Sequence, residues 1–297
     1  MLTISTCIFT VMPCRYFFLS LSVILFFSCS NSDNNLSGDL WLDIQEAGSG
    51  NITFTYVPSE GFSYTDDEGN LTGVTIELLR DFATWVEQTY DVSLNTTFIS
   101  NDSFTDFYQS VVEADGGVFG VANVTITEER KNELAFSPHY MTNIAVLITH
   151  DDILEITSKE EISDSFSGLN GLAFAGTLHE VRIRTVVSNY LPDAEIHTAH
   201  ANDEIIQRVG EKRNYFAYVD VYNFYRAVQR GVPLRRHSVG DESSEQFGVI
   251  MPLNSDWHEL INEFFYADGG YIQSDRFRGL MELHLGSEMA HILLSSE

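Results

Sequence analysis

The sequence predicts an α/β chain of two lobes joined by two crossing strands, with a ligand cleft between the lobes. Three observations lead there. Strand-like and helix-like segments alternate from about residue 51, and the alternation restarts after residue 152 in a second unit of similar size. A single apolar strand near residue 250 then returns to further helices. Such alternation marks a largely parallel sheet with helices on its faces. A chain that builds one lobe, then another, and then returns must cross between them twice, which suits hinge motion around a cleft. The expected division is 49–142 with 251–297 for the first lobe and 143–250 for the second, whose ends form the hinge strands.

Each element has its own local signal. "NITFTYV" (51–57) alternates and is rich in β-branched and aromatic residues, as a strand requires. "DDEGN" (66–70) is a turn, since Gly69 and Asn70 tolerate positive φ. Leu78, Leu79, Phe82, Trp85 and Val86 recur at helical spacing and predict a helix over 75–89 with one buried face. "SLNTTFI" (93–99) is a strand, "DFYQSVVEA" (106–114) a helix and "GVFGVANV" (117–124) a strand apolar enough to be covered on both faces. In the second unit, which begins after 145–152, a strand running into a turn is expected over 168–176, strands over 194–199 and 215–220, and helices over 178–190, 202–213 and 221–228. "EQFGVIMPLNSD" (245–256) is the return strand and turn. Trp257, Leu260, Ile261, Phe264 and Phe265 then share one face of a helix, and another covers 274–286. No sequence repeat of fixed period accompanies the two units.

Composition narrows the function. Sixteen basic residues face 43 acidic ones, a net charge of -27, and no Lys/Arg cluster offsets that field locally. Nucleic acid and anionic membrane surfaces are repelled. With 44% hydrophobic residues the chain can bury a sizeable core. The cysteines are Cys7, Cys14 and Cys29, so no disulfide is expected in the folded body. Arg15, the apolar run "YFFLSLSVILFF" and the small residue Ser28 before Cys29 have the order of a secretory leader, and Met12 is a second candidate start. The run is shorter than the ~20 residues of a membrane-spanning helix. Phe27, Ser28 and Cys29 resemble the end of a bacterial lipoprotein signal. On that reading 1–28 is removed, Cys29 is lipidated, and 29–48 is a flexible tether.

The chemistry concentrates in "NVTITEERKNELAFSPHYM" (123–141). A strand ends near Thr125 and a helical turn begins at Thr127, a good N-cap, with Glu128 and Glu129 in its first turn. Backbone N–H groups at such a start bind anions. Arg130 can aim a planar fork of donors at the same point, a geometry that matches a carboxylate and that lysine cannot imitate. The residues alone leave two readings open: a receptor for a ligand carboxylate, or a surface arginine paired with Glu129 or Glu133 at little energetic value.

Several segments in order resemble the family 3 extracellular solute-binding proteins, the amino-acid receptors of bacterial ABC importers. They are "DDEGNLTGVTIELLRDFA", the stretch around Arg130, the Gly-Thr turn in "GLAFAGTLHEVRI", the strand ending in aspartate in "YFAYVDVYNF", and "FGVIMPLNSDWHELINEF". The resemblance spans about residues 50–285 and implies a type II periplasmic-binding-protein-like fold. By that likeness Arg130 clamps the ligand α-carboxylate, with donors from Thr125. Asn123 offers its carbonyl to the α-ammonium, and Asp220 supplies that ammonium's counter-charge. Gly176 and Thr177 contribute backbone N–H groups from the other lobe, and Phe104, Phe62 and Tyr56 wall the ligand side chain. Asp220 can alternatively cap the helix after it, and the aromatics can alternatively be core. Asn123 stands where a smaller residue is commoner, glycines in "EADGGVFG" replace an aspartate, and His179 is expected to face solvent.

The function implied is an extracytoplasmic receptor for an amino acid or similar small carboxylate. It would be a monomer without cofactor or metal, lipid-anchored at the periplasm or cell surface, and would serve an ABC permease or a sensory membrane partner. Two enzymatic alternatives share the fold. A cyclohexadienyl dehydratase needs an acid/base pair at the cleft floor, for which Glu60 or His179 could serve. A membrane-bound lytic transglycosylase carries such a module beside a lysozyme-like domain, which is not expected within the residues up to Glu297. His197 and His200 lack a nearby third ligand, so a metal site is not expected there.

Overall fold

The structure, a computed structural model, describes residues 35–294. The leader expected over 1–28, the lipidation site Cys29 and the first residues of the expected tether lie outside the described residues.

The tether expected over 29–48 does not extend through its full length. Ser37 bridges to Asp115, and α1 (Trp41–Ala47) buries Trp41 and Ile44. The Asp256 carboxylate accepts hydrogen bonds from the N–H groups of Trp41 (3.0 Å) and Leu42 (3.1 Å), satisfying donors that a helix start leaves free. The Trp41 ring packs against Trp257 at 5.2 Å and Tyr90 at 4.9 Å. Trp257 in turn donates its indole N–H to the Asp39 carbonyl. Burial of two tryptophans holds this segment, where composition alone suggested a solvated linker.

The first lobe continues with β1 (Ser49–Tyr56), the hairpin β2 (Tyr64–Thr65) and β3 (Leu71–Thr72), α2 (Val74–Tyr90), β4 (Ser93–Ser100), α3 (Phe104–Val112) and β5 (Val118–Thr125). A 3-10 turn at Arg130–Asn132 and the short β6 (Leu134–Phe136) lead to β7 (Met141–His150). The second lobe holds α4 (Ile162–Ser165), β8 (Asn170–Phe174), α5 (Leu178–Tyr190), β9 (Ile196–Ala199), α6 (Asn202–Glu211), β10 (Tyr215–Asp220), α7 (Val221–Gln229) and β11 (Leu234–Arg236). The chain returns through β12 (Glu242–Pro252) to α8 (His258–Tyr266), α9 (Asp275–Leu285) and α10 (Ser287–Leu294). Among the described residues no helix is long and apolar enough to cross a membrane.

One sheet runs through both lobes in the order β4–β1–β5–β12–β7–β10–β8–β9, with β6 on β12 and β11 on β7. β1 lies parallel between β4 and β5, and β8 lies parallel between β9 and β10. The antiparallel pair β7 and β12 joins these two parallel groups, as the crossing strands of the predicted fold class. Phe54, Phe82, Phe119, Trp257 and Phe264 build the first-lobe core, while Phe166, Ile183 and Phe216 pack beneath α5 in a second cluster. Each such ring taken wholly out of water stabilises by about 1.5–3 kcal/mol.

Strand register at the crossing sets which polar side chains meet. Thr125 stands opposite Phe247, Asn143 opposite Glu245 and Asp220 opposite Ala145. Alternate residues of a strand share a face, so Asn143 and Ala145 point the same way and Asp220 is brought to Asn143.

Candidate functional site

A cavity of about 250 Å³ opens at this crossing. Arg130, Thr125, Asn123 and Phe104 reach it from the first lobe, Asp220 and Thr177 from the second, and Glu245 and Phe247 from β12.

Arg130 is held by its own strand end. Its backbone N–H donates to Thr127 Oγ1 at 3.2 Å, and Nη1 donates to the Thr125 carbonyl at 3.0 Å. The guanidinium lies 5.6 Å from the Phe104 ring centre and 5.5 Å from that of Tyr108, within cation–π range. Glu133, the acid a surface pairing would use, instead accepts a 2.7 Å hydrogen bond from the Tyr108 hydroxyl. Among the described residues no carboxylate lies within ion-pair distance of Arg130. Burial draws its pKa below the ordinary value, against the opposing influence of Tyr108, Glu245, Glu129 and Glu133. Arginine keeps its proton regardless. The result is a partly desolvated cation without a counter-ion, a state that favours an anionic guest.

Asn123 is one of few non-glycine residues with positive φ, at 53°. The left-handed region is unusual for a strand residue but asparagine tolerates it. The Tyr140 hydroxyl donates to Asn123 Oδ1 at 3.0 Å and holds the side chain in place.

Asp220 ends β10 and begins α7, yet its side chain makes no cap to the helix. Its Oδ1 instead accepts from Asn143 Nδ2 at 2.7 Å and lies 3.1 Å from His179 Nε2. Asn143 Nδ2 also donates to Glu245 Oε2 at 2.8 Å. Arg182 closes the circuit, with Nη2 donating to Glu245 Oε1 at 2.7 Å and Nη1 standing 3.2 Å from His179 Nδ1. Asn143, Asp220, His179, Arg182 and Glu245 therefore form a closed ring of hydrogen bonds. Arginine can only donate, so His179 Nδ1 accepts and the proton sits on Nε2, facing Asp220. All these contacts use Oδ1 of Asp220, which leaves Oδ2 open to a further donor.

The structure does not bring every expected residue to the cavity. Gly176 lies outside its lining: the N–H donates to Glu180 Oε2 at 2.9 Å, and a Cβ there would stand 2.7 Å from Thr105 Oγ1. Thr177 lines the cavity, but both its N–H and its hydroxyl point at the Phe174 carbonyl. Phe62 is buried edge-on against Tyr222 at 5.4 Å, and Tyr56 packs on the core; neither lines the cavity. His179 is only 7% exposed, contrary to the expectation that it faces solvent, because Asp220 and Arg182 grip both ring nitrogens. His200 lines the cavity, whereas His197 packs against Tyr215.

Glu245, Arg182, Asn143 and Arg226, the partner of Glu60, were not expected. Two signals were available. Glu245 and Phe247 are two apart in one strand and so share a face, and Arg182 comes one helical turn after His179. Glu60 lies 2.9 Å from Arg226 Nη1 and 2.5 Å from Arg230 Nη2. Burial pushes its pKa up, but the Arg230 hydrogen bond and the charges of Arg226 and Arg230 prevail and hold the carboxyl below its ordinary value.

Solved structures match this architecture. An ancestral arginine-binding protein bound to arginine matches with a TM-score of 0.62 at 20% identity, over 80% of this chain and 98% of that one. A Salmonella typhimurium periplasmic binding protein described as highly specific for arginine gives 0.60 at 13% identity, over 79% and 99%. An ancestral amino acid-binding protein, a precursor of cyclohexadienyl dehydratase, gives 0.58 at 20% identity, over 82% and 98%. At these identities the likeness shows the fold. A comparison with curated protein sequences finds no match. Residues 52–267 match the sequence pattern of one family, however, and with it the chain belongs to the bacterial extracellular solute-binding proteins of family 3.

Proposed function

We propose that the chain is a receptor for an amino acid or similar small carboxylate, closing on its ligand and delivering it to an ABC-type importer. One observation carries this reading: Arg130, a half-buried cation without a counter-ion among the described residues, and Asp220, with a carboxylate oxygen not used by the ring, line one cavity from different lobes. A zwitterion joins the two only while the lobes are together. Binding therefore favours the closed form through contacts absent from the open one. The hinge is the β7–β12 pair, with the lobes divided at 142–143 and 250–251. The amino-acid ligands named for the solved neighbours support the ligand class. A leader ending at Ser28 and a lipid on Cys29 would hold this monomer at the membrane where its permease lies.

Binding without turnover is the second half of the proposal. A dehydratase acid would have to be protonated, but Glu60 is held ionised by Arg226 and Arg230. Prephenate and arogenate are expected to be returned unchanged after incubation.

A thermal-shift screen of the amino acids, dipeptides and small carboxylates tests the reading. A ligand at one hundred times its dissociation constant raises stability by ~2.7 kcal/mol. Calorimetry on Arg130→Ala should then show binding weakened about a hundredfold with the fold intact. Unchanged affinity rejects the clamp, and a screen without any shift rejects the receptor.

A further inference from the structure

Arg226 lines the ligand cavity and a second hollow as well. Arg226, Asp203 and Asn223 line the cavity of about 250 Å³ between the lobes. The same three residues line a separate hollow of about 480 Å³ between α6 and α7, where Ile206, Val232 and Pro233 supply apolar surface. The arginine is firmly placed. Nη1 stands 2.9 Å from Glu60 Oε2 without the alignment of a hydrogen bond, and Nη2 donates to Asp203 Oδ1 at 3.2 Å. Its guanidinium lies 5.5 Å from the Tyr222 ring centre, and its side chain is only 14% exposed. Glu60 belongs to the first lobe and Asp203 to the second, so the arginine is gripped from both sides only when the lobes are together.

We propose that Arg226 is the end wall of the ligand site and sets the length of side chain the receptor accepts. The proposal rests on the receptor reading of this cavity. A ligand held at its α-carboxylate and α-ammonium projects its side chain along the remaining cavity, and the guanidinium stops it. Two carboxylates and an aromatic face resist displacement of that wall together, so added methylenes meet a fixed surface. Removing the arginine joins the two hollows, and the apolar surface beyond takes up the longer chain. One extra methylene rejected or accepted by such a pocket changes affinity about tenfold or more.

The test is a calorimetric series of unbranched α-amino acids, from alanine through norvaline and norleucine to 2-aminooctanoate, on three proteins. Wild type should lose affinity steeply beyond one chain length. Arg226→Ala should extend that limit by two or more methylenes, gaining at least about tenfold for the longest members. Arg226→Leu, which keeps bulk but loses charge, should retain the wild-type limit. If Ala and Leu variants instead weaken the whole series in parallel, Arg226 only latches the lobes and the wall is refuted. An unchanged length profile in Arg226→Ala refutes it equally. If no amino acid of any length binds wild type, the receptor reading itself falls and takes the wall with it.

Discussion

Replacing Arg182 with methionine opens the ring that orients Asp220, and the loss can be worked from the contacts it breaks. Glu245 keeps 7% of its side-chain exposure and Arg182 keeps 18%, so their 2.7 Å pair is largely out of water. Removing one partner of a buried pair costs about 3–5 kcal/mol, chiefly because the other charge is stranded. Asn143 still donates to Glu245, so the lower end, about 3 kcal/mol, is expected for Arg182→Met. Glu245→Leu should cost a similar amount by stranding the arginine. The double variant removes both charges and should recover part of the loss, with a coupling energy of about 2 kcal/mol. Urea unfolding of the four proteins at neutral pH measures the cycle. Additive single losses, or an Arg182→Met loss below about 1 kcal/mol, would show the pair to be an ordinary surface contact and the ring to be incidental.

Closure and acid stability give two further expectations. Gly61 has φ 84°, and a Cβ there would stand 2.4 Å from the Tyr222 hydroxyl and 2.7 Å from Leu285 Cδ2. Overpacking of this kind costs about 1–3 kcal/mol, and here it opposes approach of the lobes, so Gly61→Ala should weaken ligand binding about tenfold or more. Unchanged affinity would mean that Tyr222 moves aside freely. Burial pushes His237 down from 6.5 to about 4, while Thr149 and the Ile156 N–H engage its two ring nitrogens. The unfolded chain therefore binds the proton first, and stability is complete above pH 6.5, falls as pH drops, and levels off below about 4. That interval is worth about 3 kcal/mol, and His237→Gln should flatten this part of the pH profile of unfolding. A variant profile parallel to wild type would contradict it.

Much of the architecture is legible because periodicity carries it. Leu78, Phe82 and Val86 mark α2 by spacing alone, and "YFAYVD" reads as β10 to the residue. The elements that escape are short or supported from far away. β6 and β11 have three residues each, too few to show a period. α1 looks like linker because the groups that hold it, Asp256 and Trp257, lie more than 200 positions along the chain. The site divides in the same way. Arg130 stands out in one local segment, and Thr125 and Asn123 beside it are named through the family resemblance. The ring around Asp220 draws on Asn143, His179, Arg182 and Glu245, and the sheet register assembles it. Gly176 is expected at the site through the family resemblance, which does not reveal that the Glu180 side chain folds back onto its N–H.

Capture of a ligand carboxylate by Arg130 is the central claim, and one pair of ligands tests it directly. The best-binding amino acid and its α-carboxamide would be titrated by calorimetry into wild type and Arg130→Ala. In wild type, loss of the carboxylate should weaken binding about a hundredfold, as for other buried charge pairs that lose one partner. In Arg130→Ala the two ligands should bind alike. An equal penalty in both proteins would place the carboxylate away from Arg130 and contradict the claim.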